Sequence, residues 1–215
     1  MTHLVSRQLW GDLDVDTNLG RVFVVQKWHY AWTLFSNQVR PWTYSERRQF
    51  HNTLDRQVWA EWSNRFRLQV SGSGPFARRF SSIGVPLNFD IRWVTTPGHW
   101  HVTVRKMPPN SSRTTFRSHV IPETRRIELD TMDIAMASAA NDAGRVSNRF
   151  RSGPQEFGHT MALPDEYNAG SPNLSDTASI MNIGTQVRRR HLQLTIAALN
   201  SLMPNVTFSA PRGMA

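Results

Sequence analysis

Three residues in the stretch 155–159 have the types and the spacing that metal-assisted hydrolysis requires. Gln155 and His159 are four positions apart, and residues at that spacing lie on one face of a helix. Two donors so placed can bind a single metal ion. Glu156 lies beside the first position, where a carboxylate can polarise a metal-bound water molecule. The pattern therefore predicts a helix that presents a hydrolytic metal site.

A second element follows this helix at residues 179–184, Ser-Ile-Met-Asn-Ile-Gly, a tight turn that contains Met181. Taken with Glu156, His159 and the downstream Asp165, this turn makes the chain resemble the zincin metallopeptidases, with a Met-turn similar to that of the metzincin group. The stretch 145–192 carries the resemblance and is also similar to metallopeptidase domains of bacterial toxins and secreted effectors.

The resemblance implies a zinc-dependent endopeptidase that acts on a protein or peptide substrate. In that arrangement His159 binds zinc through an imidazole nitrogen and Asp165 through a carboxylate oxygen. Glu156 is the general base that takes a proton from the attacking water and passes it to the leaving amine. Met181 shapes the floor beneath the metal.

Two departures from the family pattern bear on the metal site. Gln155 stands where the first histidine is expected, and its amide oxygen is a neutral and weaker donor. His191, which follows the Met-turn, is a candidate replacement ligand or oxyanion donor. Ala162 stands where a glycine turns the chain out of the helix, and a left-handed alanine costs about 1 kcal/mol. A different turn would make Glu166, rather than Asp165, the carboxylate ligand.

Two other functions stay open. Gln155, Glu156 and His159 can hydrogen-bond one another without a metal, which would make the chain a catalytically degenerate binding module. The formal net charge of +9, with 25 Lys and Arg against 16 Asp and Glu, also fits an acidic partner, including an acidic protein substrate or nucleic acid. Nearly all the positive charge is arginine, yet no nucleic-acid-binding motif accompanies it.

Composition also limits the cellular setting. The 215 residues contain no cysteine, which excludes disulfides and cysteine metal sites. No apolar run reaches the roughly 20 residues of a membrane-spanning helix, and the N-terminus lacks the apolar segment of a signal peptide. We therefore expect a cytoplasmic protein or one exported by a signal-independent route. The oligomeric state is not indicated.

The predicted architecture is a single α+β domain, 1–215, with a zincin-like small mixed sheet over the motif helix. An N-terminal lobe covers 1–144, the motif helix and Met-turn lobe cover 145–204, and a loose tail covers 205–215. The predicted elements are a strand over 21–28, a helix over 44–66 that begins at the capping box Thr43/Glu46, a strand over 125–130, an Ala-rich helix over 131–144, a motif helix that begins or is kinked at Pro154, and a helix over 187–202.

The segments 87–95 and 99–107 alternate apolar and polar residues around Pro97–Gly98 and predict a β-hairpin. The second of these strands could offer an edge to which an extended peptide adds. His99 and His101 lie two apart and would share a strand face, which makes them an alternative metal pair.

Overall fold

The computed structural model describes residues 2–112 and 116–211. The strands within these ranges are β1 (His3–Arg7), β2 (Asp12–Asp16), β3 (Arg21–Leu34), β4 (Arg67–Ser71), β5 (Val85–Val94), β6 (Trp100–Lys106), β7 (His119–Ile121), β8 (Arg126–Asp130), β9 (Ala137–Ala140), β10 (Val146–Phe150) and β11 (Thr207–Ser209). The α-helices are α1 (Tyr44–Trp62), α2 (Pro75–Phe80), α3 (Ser152–His159) and α4 (Gln193–Leu202), and two short 3-10 helices cover Pro122–Thr124 and Arg189–Leu192. No helix in the described ranges is long and apolar enough to cross a membrane.

The long strand β3 is the centre of a mixed sheet. The described strands of this sheet follow the order β11-β4-β5-β3-β6-β8-β7, and β2 joins β1 to the first half of β3. Strands β5, β3, β6 and β8 run parallel to one another, whereas β2 and the outer strands β4, β7 and β11 pair antiparallel to their neighbours. The mixed α+β class predicted from the sequence is confirmed.

The predicted hairpin of β5 and β6 is wrong. Both strands pair in parallel with β3, on its opposite sides, so the chain crosses over β3 between them. At the crossing the backbone passes directly against β3, because a Cβ on Gly98 would lie 2.3 Å from the carbonyl oxygen of Lys27. The Pro-Gly pair therefore marks a close backbone approach, and β6 is an interior strand with no edge to offer a peptide.

Helix α1 begins as predicted. The Thr43 hydroxyl accepts the backbone N–H of Glu46, and the Glu46 carboxylate accepts the backbone N–H of Thr43. The aromatic and aliphatic ridge of this helix is buried, as predicted for core packing, and comprises Phe50, Leu54, Val58 and Trp62. The helix ends at Trp62, four residues earlier than predicted, and the chain leads into β4.

The Ala-rich segment 131–144 is not a helix. Its residues form turns and the strand β9, which pairs antiparallel with β10 in a separate two-stranded sheet. The Asp133 carboxylate accepts the backbone N–H of Asp130, and the Asn141 side chain accepts the N–H groups of Ala143 and Arg145. These side chains bind backbone donors locally, which opposes a helix despite the high alanine content.

The C-terminal segment also differs from its prediction. The helix expected over 187–202 is divided into the 3-10 turn Arg189–Leu192 and the α-helix α4. Residues of the predicted loose tail form β11, which pairs with β4 at the edge of the sheet. The end of that predicted tail, 212–215, lies outside the described residues.

Candidate functional site

Helix α3 is fixed against the core by contacts from α1 and β3. The Trp62 indole donates to the carbonyl oxygen of Pro154 at 3.0 Å, and its ring packs on Phe157. The Gln26 side chain donates to the Thr160 hydroxyl at 2.7 Å. The helix begins at Ser152, two residues before Pro154, so the proline lies in the first turn, where a missing N–H is tolerated. These contacts give the motif residues a rigid support.

The chain leaves this helix through Ala162, whose φ is +59°. This left-handed conformation is the one that glycine adopts most readily, so the alanine takes the turn in spite of its strain. The turn directs Asp165 back to the helix, where its Oδ1 lies 3.0 Å from the Nε2 of His159. The local geometry expected for a third ligand place is therefore present in this chain.

The tautomer of His159 is set by a backbone contact. Its Nδ1 lies 2.7 Å from the carbonyl oxygen of Leu163, which can only accept, so Nδ1 carries a proton. In the neutral ring, Nε2 is then the nitrogen with a free lone pair, and it faces Asp165. Two donors bound to one tetrahedral zinc ion lie about 3.3 Å apart, so this pair needs only a small separation to bind a metal.

Glu156 lies beside this pair in a buried position. It is 5% exposed and lines a cavity of about 750 Å³, together with His159 and Asp165. Its Oε2 has no hydrogen-bond partner in the described structure. Burial raises the pKa of Glu156 to about 8, although the charge of His159 opposes the rise, and the charges of Asp133 and Asp165 add to it. This carboxyl is therefore protonated at neutral pH in the metal-free protein.

His159 and Asp165 have the opposite tendency. Burial alone would lower the pKa of His159, but its hydrogen bond to Asp165 and the charges of Glu156 and Asp165 outweigh it, so the pKa lies above its usual value. Burial would raise the pKa of Asp165, yet the hydrogen bond and charge of His159 hold it below its usual value. Without a metal, the hydrogen bond between the two side chains thus favours a protonated His159 and an ionised Asp165.

Gln155 occupies the first-ligand place and is buried. Its side-chain amide lies 3.4 Å from the Oδ1 of Asp165, within reach of the same position. In the described ranges, no group of three His, Cys, Asp or Glu side chains is arranged to hold a metal ion. The metal-donor atoms nearest one another here are the Nε2 of His159 and the Oδ1 of Asp165, and the Gln155 side chain lies beside them.

The Met-turn lies directly against the motif helix. Met181 is fully buried, and its sulfur would be 2.4 Å from a Cβ added to Gly158, the residue before His159. Its carbonyl oxygen accepts the backbone N–H of Glu166 at 2.8 Å. Gly158 thus leaves room for the Met181 side chain against the helix, and the turn contacts both the helix and the segment that carries Asp165.

The two residues considered as substitute ligands lie together on the Met-turn side. Arg190 binds both carboxylate oxygens of Glu166 at 2.6 and 2.7 Å, and the His191 Nε2 lies 3.3 Å from the same carboxylate. The Nδ1 of His191 accepts the backbone N–H of Arg188. Neither Glu166 nor His191 lines the described part of the cavity. The structure does not bring His191 to the position of a replacement ligand.

The alternative pair His99 and His101 is also separated by its contacts. His99 accepts the backbone N–H of Lys27 through Nδ1, and its Nε2 lies 3.2 Å from Asp12. The ring of His101 lies beside that of His29 on the neighbouring strand, with centroids 5.5 Å apart. His99 therefore has a structural role at the crossing over β3.

Two cavity residues were not predicted from the sequence. The hydroxyl of Tyr167 donates to the Oδ2 of Asp165 at 2.7 Å, and Arg117 donates to the same hydroxyl. The guanidinium of Arg117 also lies over the Tyr167 ring, 5.7 Å from its centroid. Tyr167 follows Asp165 by two residues and could have been considered, but Arg117 is 50 positions away and has no local signal.

The arginine run 188–190 bears on the nucleic-acid hypothesis. Arg188 binds Asp176 at 2.5 and 2.9 Å, and Arg190 binds both Asp176 and Glu166. Two of the three arginines are thus paired with carboxylates of the Met-turn region. The run contributes to the fold and is not a freely exposed basic patch.

The geometry of the cavity can be set against known proteins. No protein-family model, no curated protein and no solved structure matches this chain. The functional argument therefore rests on Glu156, the pair of His159 and Asp165, and the Met-turn beneath them.

Proposed function

We propose that this chain is a zinc-dependent endopeptidase that hydrolyses peptide bonds in protein or peptide substrates. The observation that supports the proposal most directly is the Oε2 of Glu156, a buried carboxylate oxygen that lines the cavity without a hydrogen-bond partner. A buried polar atom left unpaired costs free energy. Perturbed groups of this kind concentrate at functional sites, where the chemistry uses them.

His159 and Asp165 would hold the zinc ion, with Gln155 as a weak third donor. The Leu163 carbonyl sets the His159 tautomer, and Tyr167 fixes the Asp165 carboxylate. Such outer contacts orient metal ligands and tune their basicity. Zinc, when bound, would polarise the scissile carbonyl and lower the pKa of water.

Glu156 would act as general base and then as general acid. It takes a proton from water as the water oxygen bonds to the carbonyl carbon, and it delivers that proton to the amine as the C–N bond breaks. The products are a carboxylic acid and an amine. Its high pKa suits the second step, and a cation beside His159 and Asp165 would favour the ionised form needed for the first.

A catalytically degenerate binding module is the second candidate. It is favoured by the neutral Gln155 in the first-ligand place and by the closed series of contacts from His159 through Asp165 and Tyr167 to Arg117. In that function the series would hold the cavity in shape without a metal, and the cavity would bind a polypeptide without cleaving it.

Metal content and turnover test the proposal. We expect near-stoichiometric zinc in protein purified without chelators or metal-affinity resin, and its loss in His159→Ala. Glu156→Gln should keep zinc and lose about 10²- to 10⁴-fold in the rate of cleavage of unstructured proteins, because general acid–base assistance is removed. Absence of zinc from the wild type would overturn the proposal that the chain is a zinc enzyme. Full activity of Glu156→Gln would show that Glu156 is not the general base.

Gln155→His separates the two candidates. Restoring an imidazole should strengthen zinc binding in an enzyme whose site is otherwise intact. A Gln155→His protein that binds zinc, beside a wild type that does not, would support the binding module. Asn148→His, on the neighbouring strand β10, is the matched control that adds an imidazole outside the cavity lining.

A further inference from the structure

Arg117 lies in the cavity of the candidate site and is exposed. Among the described residues that line this cavity, it is the one lysine or arginine, whereas four residues contribute carboxylates: Asp130, Asp133, Glu156 and Asp165. The proposed reaction does not use it. The contacts around Arg117 indicate which kind of group it binds.

The contacts of Arg117 hold it in place without neutralising it. Within the described residues it donates to the Tyr167 hydroxyl and lies over the Tyr167 ring, and it forms no ion pair. Asp165 is the nearby carboxylate that could have paired with it. Its Oδ2 accepts the Tyr167 hydroxyl and its Oδ1 faces His159, so the tyrosine lies between the guanidinium and the carboxylate.

Within the part of the chain that the structure describes, this arrangement leaves most of the guanidinium available. The group carries five N–H donors in a planar fork, and one nitrogen is engaged with the Tyr167 hydroxyl. The bond to the Tyr167 hydroxyl restrains the guanidinium and so reduces the entropy lost on binding. A carboxylate matches the spacing of two such donors, and paired bonds of this kind are among the strongest hydrogen bonds in proteins.

We propose that Arg117 binds a carboxylate of the substrate close to the scissile bond, which makes this cavity selective for peptides with an anion at that position. The inference rests on the proposed function, because it deepens the substrate class of the same site. The carboxylate can come from an Asp or Glu side chain within a chain or from a free C-terminus. The first source implies internal cleavage beside acidic residues, and the second implies removal of C-terminal residues.

The charges around the cavity are consistent with this assignment. Arginine stays protonated at neutral pH, and the neighbouring Tyr167, Asp165 and Glu156 raise the pKa of Arg117 further. A substrate anion would otherwise be repelled by the cavity carboxylates. Arg117 supplies the compensating charge on the Tyr167 side.

Binding to the Glu156→Gln protein tests the inference apart from turnover. Four fluorescent peptides of one sequence are titrated in two pairs: Glu against Gln at the central position with an amidated C-terminus, and a free acid against the amide with central Gln. We expect a 10- to 100-fold preference, on the order set by charged hydrogen bonds, for the carboxylate in one pair. The pair that shows it identifies the source.

The matched variants are made in the same background. Arg117→Met should abolish the preference, Arg117→Lys should retain part of it as a point charge without the fork, and Arg40→Met, at another exposed arginine outside the cavity lining, should retain all of it. Equal binding within both pairs, or a preference that survives Arg117→Met, would overturn the inference. Failure of the parent protein, with Glu156 intact, to cleave any peptide would instead overturn the proposed function, while the binding result still decides the inference.

Discussion

Glu156 and Glu166 are ten residues apart, equally buried, and opposite in their surroundings. Glu156 is 5% exposed and has an oxygen without a partner, whereas Glu166 is 3% exposed and accepts two bonds from Arg190 and one contact from His191. Burial raises the pKa of Glu156 to about 8. It would also raise that of Glu166, but the bonds from Arg190, His191 and Ser179 outweigh burial and hold its pKa at about 2.

Glu166 lies in a short segment, 165–167, that has one side towards the cavity and the other towards the Met-turn. The chain from Asp165 to Tyr167 alternates between the cavity and the Met-turn, so that Asp165 and Tyr167 line the cavity while Glu166 is tied to Arg190. A satisfied carboxylate stabilises the segment, and an unsatisfied one is available for proton transfer. Solvent exposure alone would not have distinguished the two glutamates, whereas their hydrogen-bond partners do.

The largest effect on stability is expected at Glu166. Glu166→Gln removes the charge that compensates Arg190 and weakens the contact with His191, and breaking a buried pair in this way should cost about 3 kcal/mol in the free energy of unfolding. Arg190 keeps its bond to Asp176, which limits the loss. Urea denaturation measures the change.

The exposed Glu123→Gln is the control for Glu166→Gln and should change the free energy of unfolding by less than about 0.5 kcal/mol. If the two variants are equally stable, the carboxylate at 166 does not anchor the Met-turn. The stabilising role that distinguishes Glu166 from Glu156 would then be wrong.

Glu156→Gln, unlike Glu166→Gln, is expected to increase the free energy of unfolding of the metal-free protein. The pKa of Glu156 is higher in the folded state, about 8, than its ordinary 4.5, so folding is favoured where the group is protonated. Its contribution is complete below pH 4.5 and is lost as the pH rises towards 8. A glutamine cannot ionise, so the variant should be more stable than the wild type by on the order of 2 kcal/mol at pH 6.

The check is the free energy of unfolding of both metal-free proteins between pH 4 and 8.5. The two curves should coincide at the acidic end and separate steadily above pH 4.5. Parallel curves would show that Glu156 ionises at an ordinary pKa, and the cavity would then lack the low-dielectric character on which the contrast with Glu166 depends.

Much of the candidate site could be predicted from the sequence because its spacing is local. Glu156 and His159 are three apart on one helix, and Asp165 follows after a turn that Ala162 makes in the left-handed conformation. The helix α1 was likewise predicted from its capping box and its ridge. Such features depend on neighbours within a few positions, which the sequence displays directly.

The features that could not be predicted depend on distant contacts. The Pro97–Gly98 turn between β5 and β6 is also typical of a hairpin. Pairing of both strands with β3, which the local sequence does not display, makes it a crossover instead. His191 was a candidate ligand because it follows the Met-turn, but it contacts Glu166 instead. Arg117 reaches Tyr167 across 50 positions, and no local pattern announces that contact.

Tyr167→Phe is expected to have the smallest of the three effects, and it tests how Asp165 is held on the cavity side of the segment. The phenol donates to Asp165 and accepts from Arg117, so its removal frees the Oδ2 of Asp165 while the ring stays in place. Losing an outer contact to a metal ligand weakens binding by 10- to 100-fold, and we expect about 10-fold because the backbone bond from Glu166 to Met181 still holds the Asp165 segment.

Competition with a fluorescent zinc chelator measures this affinity, and Tyr44→Phe, at an exposed tyrosine outside the cavity lining, is the matched control. Weaker zinc binding in Tyr167→Phe alone would establish that the hydroxyl positions Asp165. Unchanged zinc affinity with a lower turnover number would instead place the hydroxyl on the reacting carbonyl oxygen. In that case the contacts of Glu166 with the Met-turn region would be sufficient to position Asp165 for zinc binding, without the Tyr167 hydroxyl.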